Sequence, residues 1–487
     1  MTRMTVLDLR SLGLMRMGAG LTLFATILAR AGQIALFYSD DGYVSRSLIT
    51  EKYWNPVWWS LHLFSGSSTA VGALFAVHAV AAIALAVGWK TRWSSVLCYL
   101  LTLSMYNRNP LVLDGGDRLF LLLLFWGMFL PWGQYFSLDG RWNRSKAGST
   151  TSISVGGTGY LLQVSQVYLM AGLWKIHPVW VTELTALERA LSLGQFCKPI
   201  GAWLLSFPAP VKMLTFATFL LEWVAPILLL VGNGKARAFA LLGLCVFHTS
   251  IWLVFDLGFF PWISLVCLLG LIPTWIWERS DPTNEAEEFD DSKAVQVVAY
   301  MAILLTMWWN LYLAFHNTEP PDPDGPWRLP TKAASALRLA QTWNLFAPVP
   351  RTEDSRYFVE ARLADGRRID LLREGRSYPI EEPTYRYREF QNQRQRMYLT
   401  ALELSVGPEF RLPFLSRLAK DWETSHPGDF IVWLRLTVER IPTRPRSPRD
   451  GRAAYELARL VPPNAGWLGP LSPDLGPLPQ SPSRHPR

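Results

Sequence analysis

Nine stretches of the chain are apolar and close to the length that crosses ~30 Å of hydrocarbon, and no other feature limits the fold as sharply. They lie near residues 12 to 37, 66 to 87, 92 to 106, 117 to 135, 158 to 175, 213 to 232, 236 to 254, 257 to 277 and 295 to 315. The third is short and the runs on either side of Phe255 to Pro261 merge, so the expected count is eight or nine. In lipid every backbone amide must be satisfied within its own segment, which makes these stretches helices. Composition agrees, because a chain of 487 residues that is 50% hydrophobic, with 23 Trp and 25 Phe, is too apolar for an ordinary soluble enzyme. The expected fold is an all-α polytopic membrane bundle with a small α+β C-terminal extramembrane domain.

Charge sets the expected orientation. Lys90 with Arg92, then Arg141, Arg144 and Lys146, then Lys235 with Arg237 occupy alternate short loops, and Arg3, Arg10 and Arg16 precede or open the first span. By the excess of cations on the inner side, the N-terminus is cytoplasmic. Residues 38 to 65, 107 to 116, 176 to 212 and everything after about 316 are then extracytoplasmic, with the plasma membrane as the expected location. The first apolar run, from about Leu12, is long enough to span and lacks a small-residue cleavage site, so it is expected to stay in the membrane. The net charge of +8 comes mainly from an Arg-rich C-terminal third and suits solubility or anionic headgroups rather than nucleic acid, for which no motif is present. Cys98, Cys197, Cys245 and Cys267 have no metal-ligand spacing, so neither a zinc site nor a disulfide framework is expected.

Three regions follow from the composition: a transmembrane domain at 1–316, an extracytoplasmic α+β domain at 317–440, and a Pro/Arg-rich tail at 441–487 that is expected to be disordered. Residues 357 to 372 alternate by side and pivot on Asp365-Gly366, as a β-hairpin does. Arg386 to Leu404 reads as a helix and Asp429 to Ile441 as a strand. No nucleophile elbow, phosphate loop or zinc motif occurs.

Ionisable residues inside apolar runs are the candidates for chemistry, since charge in a membrane is costly unless it is paired or faces a wet cavity. The stretch Tyr160 to Trp180 carries Gln163 and Gln166 in mid-run and ends in Lys175, between Trp174 and His177. A partly dehydrated ammonium is disfavoured, which makes such an amine available as a base; the competing reading is a lysine that snorkels to the headgroups. Glu222 and His248 lie in the next two apolar runs, with each other as plausible partners, for function or for packing alone. Asp114, Asp117 and Arg118 open the fourth run, either facing a wet cavity or forming an Asp117–Arg118 clamp that locks the helix start. Asp40-Asp41-Gly42 is a turn in a tryptophan-rich lid, too poor in carboxylates for a cation site. Residues 176 to 212, with prolines at 178, 199, 208 and 210, are expected to form short helices that roof the site.

Six segments carry a resemblance: YSDDG at 38–42, NPLVLDGGDRLFLLLLF at 109–125, YLMAGLWKIHPVW at 168–180, FHTSIWLVFDLGFFPW at 247–262, QTWNLFAPVP at 341–350 and RYREFQNQRQRMYL at 386–399. Together they resemble the HTTM (horizontally transferred transmembrane) domain family, whose best-known relative is the vitamin K-dependent gamma-glutamyl carboxylase. In that enzyme a lysine in an alanine-glycine-x-x-lysine context deprotonates reduced vitamin K. Oxygen converts the quinol into a strong base that takes a proton from a peptide glutamate, and carbon dioxide adds. The resemblance implies Lys175 as the base, His248 and Glu222 as orienting or proton-relay groups, and Trp174, His177, Asp114, Asp117 and Arg118 as residues around a reduced quinone. It also implies a carboxylase-like lyase with a peptide, protein or lipid substrate. One departure stands out: the carboxylase has an asparagine-asparagine-histidine motif where this chain has Gly115-Gly116-Asp117. The alternative reading is a non-catalytic membrane protein that binds lipid or a client peptide and assists its maturation or export.

Overall fold

The computed structural model describes residues 5–142, 149–231, 234–277, 287–288, 292–316, 319–322, 324–379, 386–404, 407–443 and 453–461. Most of the acidic linker after residue 277, Arg144, Lys146 and the tail from 462 lie outside the described residues. In chain order the helices are α1 (Leu9–Ala31), α2 (Ile34–Phe37), α3 (Arg46–Lys52), α4 (Ser68–Val87), α5 (Thr91–Arg108), α6 (Gly115–Gly127), α7 (Leu138–Trp142), α8 (Val155–Trp174) and α9 (Pro178–Val181). They continue with α10 (Ala186–Leu191), α11 (Pro199–Leu204), α12 (Pro208–Val231), α13 (Gly234–Val254), α14 (Phe260–Leu269), α15 (Lys293–Phe315), α16 (Arg328–Ala336), α17 (Gln393–Glu403) and α18 (Pro408–Ser425). The strands are β1 (Leu7–Asp8), β2 (Thr151–Ile153), β3 (Glu287–Glu288), β4 (Glu353–Leu363), β5 (Arg368–Asp370), β6 (Arg376–Ser377), β7 (Ile431–Pro442) and β8 (Ala453–Leu460).

Every apolar run of the sequence contains a helix, yet among the described residues only α1, α4, α12, α13 and α15 are long and apolar enough to cross a membrane. The shortfall has a physical cause. α6 has 13 residues, about 20 Å of helix, and 11 of them are buried, so it is an interior strut wrapped by other helices. α5 and α8 carry Gln, Ser, Thr, Tyr and Gly because most of their surface meets protein rather than lipid. Local signals set the ends: Asp114 and Asp117 close a capping box at α6, Ser154 caps α8, and Gly88 in the left-handed region stops α4.

The connections gather at two ends of the bundle. At one end β1, β2 and β3 pair, Arg237 donates to Val6 O at 3.0 Å, and Arg16 bonds the carbonyls of Leu85, Ala86, Trp132 and Phe136. At the other, Asn107 donates to Trp59 O at 2.9 Å, Arg108 to Val44 O at 2.8 Å and Lys198 N to Val254 O at 2.9 Å.

The C-terminal region holds an antiparallel sheet in the order β6-β5-β4-β7-β8, with α17 and α18 packed on it through Leu399, Leu402, Phe410 and Leu415. The hairpin expected about Asp365-Gly366 joins β4 to β5, and β7 matches the expected last strand. The helix read at Arg386 to Leu404 is a 3-10 turn at Arg386–Glu389 followed by α17, which Asn392 caps. Order does not stop near 440. β8 pairs along β7 from Leu434 to Arg440, although its AAYELARL sequence has weak strand propensity, because β7 would otherwise be a long bare edge.

Residues 337 to 346, read as part of a soluble domain, run back into the bundle: Tyr99 OH donates to Leu337 O at 2.9 Å and Trp309 Nε1 to Gln341 O at 2.9 Å. Gln341 exchanges side-chain hydrogen bonds of 2.7 and 3.1 Å with Gln163, about 18 Å down α8 from Lys175, and Asn310 donates to Gln166 at 3.1 Å. The two glutamines of α8 thus find their partners in the side chains of Gln341 and Asn310 within the protein.

Candidate functional site

The site is built where α8 meets α12. Gly172, one turn before Lys175, lies so close to α12 that a Cβ there would meet Trp223 Nε1 at 3.1 Å and Glu222 O at 3.4 Å. That approach, together with Ala171, lets the lysine reach across. α8 ends at Lys175 because His177 and Pro178 follow, and the side chain folds back toward Ala171 O at 3.5 Å. Pro226 in α12 cannot donate to the carbonyl of Glu222, which loosens that helix at the partner residue.

Lys175 Nζ stands 2.7 and 2.9 Å from the two carboxylate oxygens of Glu222, with the side chains 3% and 5% exposed. The amine also lies over the Trp180 ring, 5.0 Å from its centre. The lysine is therefore buried and paired, which corrects the snorkelling alternative. Glu222 and His248 are not each other's partners: His248 Nε2 shares a 2.8 Å hydrogen bond with Tyr168 OH, and its Nδ1 has no partner among the described residues. Tyr168 is two turns before Lys175 on the same face of α8, a spacing that would have flagged it from sequence.

Lys175, Glu222, His248 and Tyr168 all line one cavity of about 470 Å³. Its walls are otherwise mostly apolar, with Phe247, Phe255, Phe260 and Phe346 among them, and Trp180, Leu187, Ala190, Phe196 and Leu204 form the roof expected of residues 176 to 212. Phe346 comes from the returning segment, and Gln393 and Met397 from α17, so the C-terminal region completes the chamber. Sequence reading missed those contributors because nothing local marks a soluble-looking helix as a lid on a membrane cavity.

The other candidates scatter. Asp114 lines the cavity and accepts from Gln393 Nε2 at 3.2 Å. Asp117 does not line it; it is buried between Arg30 and Arg394 and also accepts from Tyr106 OH at 3.1 Å. Arg118 is exposed, so the Asp117–Arg118 clamp does not form, and the carboxylate instead ties α1, α6 and α17 together. His177 caps α9, and Trp174 packs against Trp309 and its neighbours; neither is on the cavity wall. Among the described residues no group of three His, Cys, Asp or Glu is placed to hold a metal ion.

No curated protein and no solved structure matches the chain. The HTTM domain matches residues 5–275, which is more than half of the chain and takes in α1 to α14 with Lys175, Glu222 and His248. This match and the apolar helices make the chain a membrane protein that belongs to the HTTM domain family.

Proposed function

We propose that this chain is a membrane enzyme of the carboxylase-like kind, in which the Lys175–Glu222 pair takes a proton from a hydroxyl group of a reduced quinone. The observation that carries the reading is a lysine and a carboxylate in direct contact, both buried, opening on an apolar chamber of about 470 Å³. That volume falls in the usual range for a bound small molecule, and the chamber has the composition such a group needs: aromatic walls for a ring and two separated polar points. Lys175–Glu222 and Tyr168–His248 are those points, and the partnerless His248 Nδ1 leaves one buried polar atom for a ligand to satisfy.

When bound, the reduced quinone would supply the oxygen-dependent reducing chemistry that no side chain here can supply. The residues do the rest. In a dry site an ion pair is costly, so the proton can pass from the Lys175 ammonium to the Glu222 carboxylate, leaving a neutral amine within reach of the cavity. His248, held by Tyr168, orients the far polar group. Asp114 borders the side nearest α17, where a polar substrate would arrive. Because Asp117 is engaged by two arginines and the carboxylase's histidine is missing, the substrate is assigned only as a peptide or lipid bearing an acidic C–H.

The same reading takes the eight or nine apolar runs as crossings, the shorter ones shielded by protein, places the N-terminus in the cytoplasm and puts Lys175, the roof and the C-terminal domain on the outer side. The two-ended sorting of the connections supports it. A second reading, a non-catalytic binder of lipid or client peptide, draws on the same ion pair, since a lysine held at 2.7 Å by a carboxylate is already satisfied. The two separate in proteoliposomes supplied with a reduced naphthoquinol and oxygen. The enzyme reading expects oxygen-dependent quinol consumption that Lys175→Ala abolishes; consumption equal in both refutes it.

A further inference from the structure

Part of the cavity wall faces outward. Leu214 on α12 and Val246 on α13 line the chamber while being 45% and 58% exposed, and Ser250 lines it as well as being exposed. A residue that meets both a cavity and the outside of the bundle stands at a mouth. α12 and α13 touch at Gly243, where a Cβ would meet Leu221 Cδ1 at 3.0 Å. From that contact toward the roof each of the two also carries a short helix, α10 on α12 and α11 on α13: Leu187 N donates to Thr215 Oγ1 at 3.4 Å and Lys198 N to Val254 O at 2.9 Å. Leu204 of α11 lines the cavity at the roof end. Beside it Trp203 and Phe207 are 63% and 41% exposed with ring centres 4.8 Å apart, the kind of aromatic pair that sits at a membrane boundary. The mouth therefore opens below that boundary, among lipid chains. α12 and α13 are the least buried of the five long apolar helices, each with 28% of its apolar window inside the protein.

We infer that the cavity is loaded sideways from the bilayer through the gap between α12 and α13. Its ligand is then an amphiphile with one slender apolar chain, whose head reaches Lys175–Glu222 while the chain trails past Leu214 and Val246 into the lipid. A chamber of this size takes a ring and part of one chain rather than a two-chain lipid. The chain-bearing head is the shared chemistry of a prenylated quinol and a single-chain acyl lipid. The inference deepens the reading of the Lys175–Glu222 site.

The test follows uptake by the full chain in proteoliposomes, using a prenylated naphthoquinone, the same ring without a chain, and a fluorescent fatty acid. Val246→Trp and Leu214→Trp each place bulk in the mouth at an exposed position, so folding is preserved. Leu242→Trp, on a residue that is 63% exposed and does not line the cavity, is the control. Both mouth variants are expected to slow the chained probes by about tenfold or more relative to the control, while the chainless ring changes by no more than about twofold. If only the fatty acid enters the wild type and the mouth variants stop it, the lateral route stands and the quinol reading of the site falls. Unchanged uptake of chained probes by Val246→Trp, or no uptake of any probe by the wild type, overturns the route.

Discussion

Removing one member of the Lys175–Glu222 pair is the perturbation whose size can be worked out. At 2.7 Å, and with an effective dielectric of about 20, the gross attraction is about 6 kcal/mol, most of it offset by the cost of taking both ions out of water. Glu222→Leu leaves an ammonium that is 3% exposed with no counter-charge, and such a break costs about 3–5 kcal/mol. Lys175→Met strands the carboxylate and costs a similar amount. Replacing both together removes the desolvation cost as well, so the double variant should lie within about 1 kcal/mol of wild type or above it in stability. The coupling read from a double-mutant cycle is then at least about 5 kcal/mol. Unfolding in mixed lipid–detergent micelles measures all four proteins. Raising the salt concentration should change the coupling little, because a buried pair is poorly screened. If each single change costs less than about 1 kcal/mol, or the two costs simply add, the amine is hydrated and the reasoning fails.

Three further outcomes are expected. Asp117→Asn leaves Arg30 and Arg394 buried without their shared carboxylate and should cost about 3–5 kcal/mol and loosen α17 to limited proteolysis, whereas Arg118→Ala should stay within about 0.5 kcal/mol. Burial raises the Asp354 carboxyl above its usual range despite Arg386 at 2.5 Å, so the folded chain holds that proton more tightly than the unfolded one. Its contribution to stability is complete below the unfolded value and is lost as pH rises through the raised one, so acidification from neutrality should favour wild type relative to Asp354→Asn; a difference that is flat or reversed would contradict this. Replacing Tyr455 and Leu457 in β8 with proline should unpair it and bare β7, lowering the melting temperature and promoting aggregation by thermal unfolding and light scattering.

Much of the bundle was legible because lipid demands long apolar helices, and a run such as 213 to 232 has no other stable fate. Lys175 and Glu222 were legible for the same reason, as charge in such runs is rare. Their pairing was not, because it depends on how closely Gly172 lets two helices approach, which is a property of packing rather than of either segment. The return of residues 337 to 346 into the bundle was hidden too: their polar Gln341 reads as surface until Gln163 supplies its partner. The count of spans was blurred by the buried helices themselves, since α5 and α8 are released from lipid and need not be uniformly apolar. β8 was missed because its Ala, Glu and Arg residues favour helix, and only the edge of β7 selects a strand.

The central claim, that a buried amine–carboxylate pair faces a chamber for a quinone-like amphiphile, is tested most directly by extracting protein purified from native membranes and weighing what comes out. Mass spectrometry should find an isoprenoid quinone at close to one per chain in the wild type and a sharply reduced amount in the Val246→Trp variant. Wild-type protein that releases only bulk phospholipid, with no quinone above the level of the surrounding detergent, would contradict it.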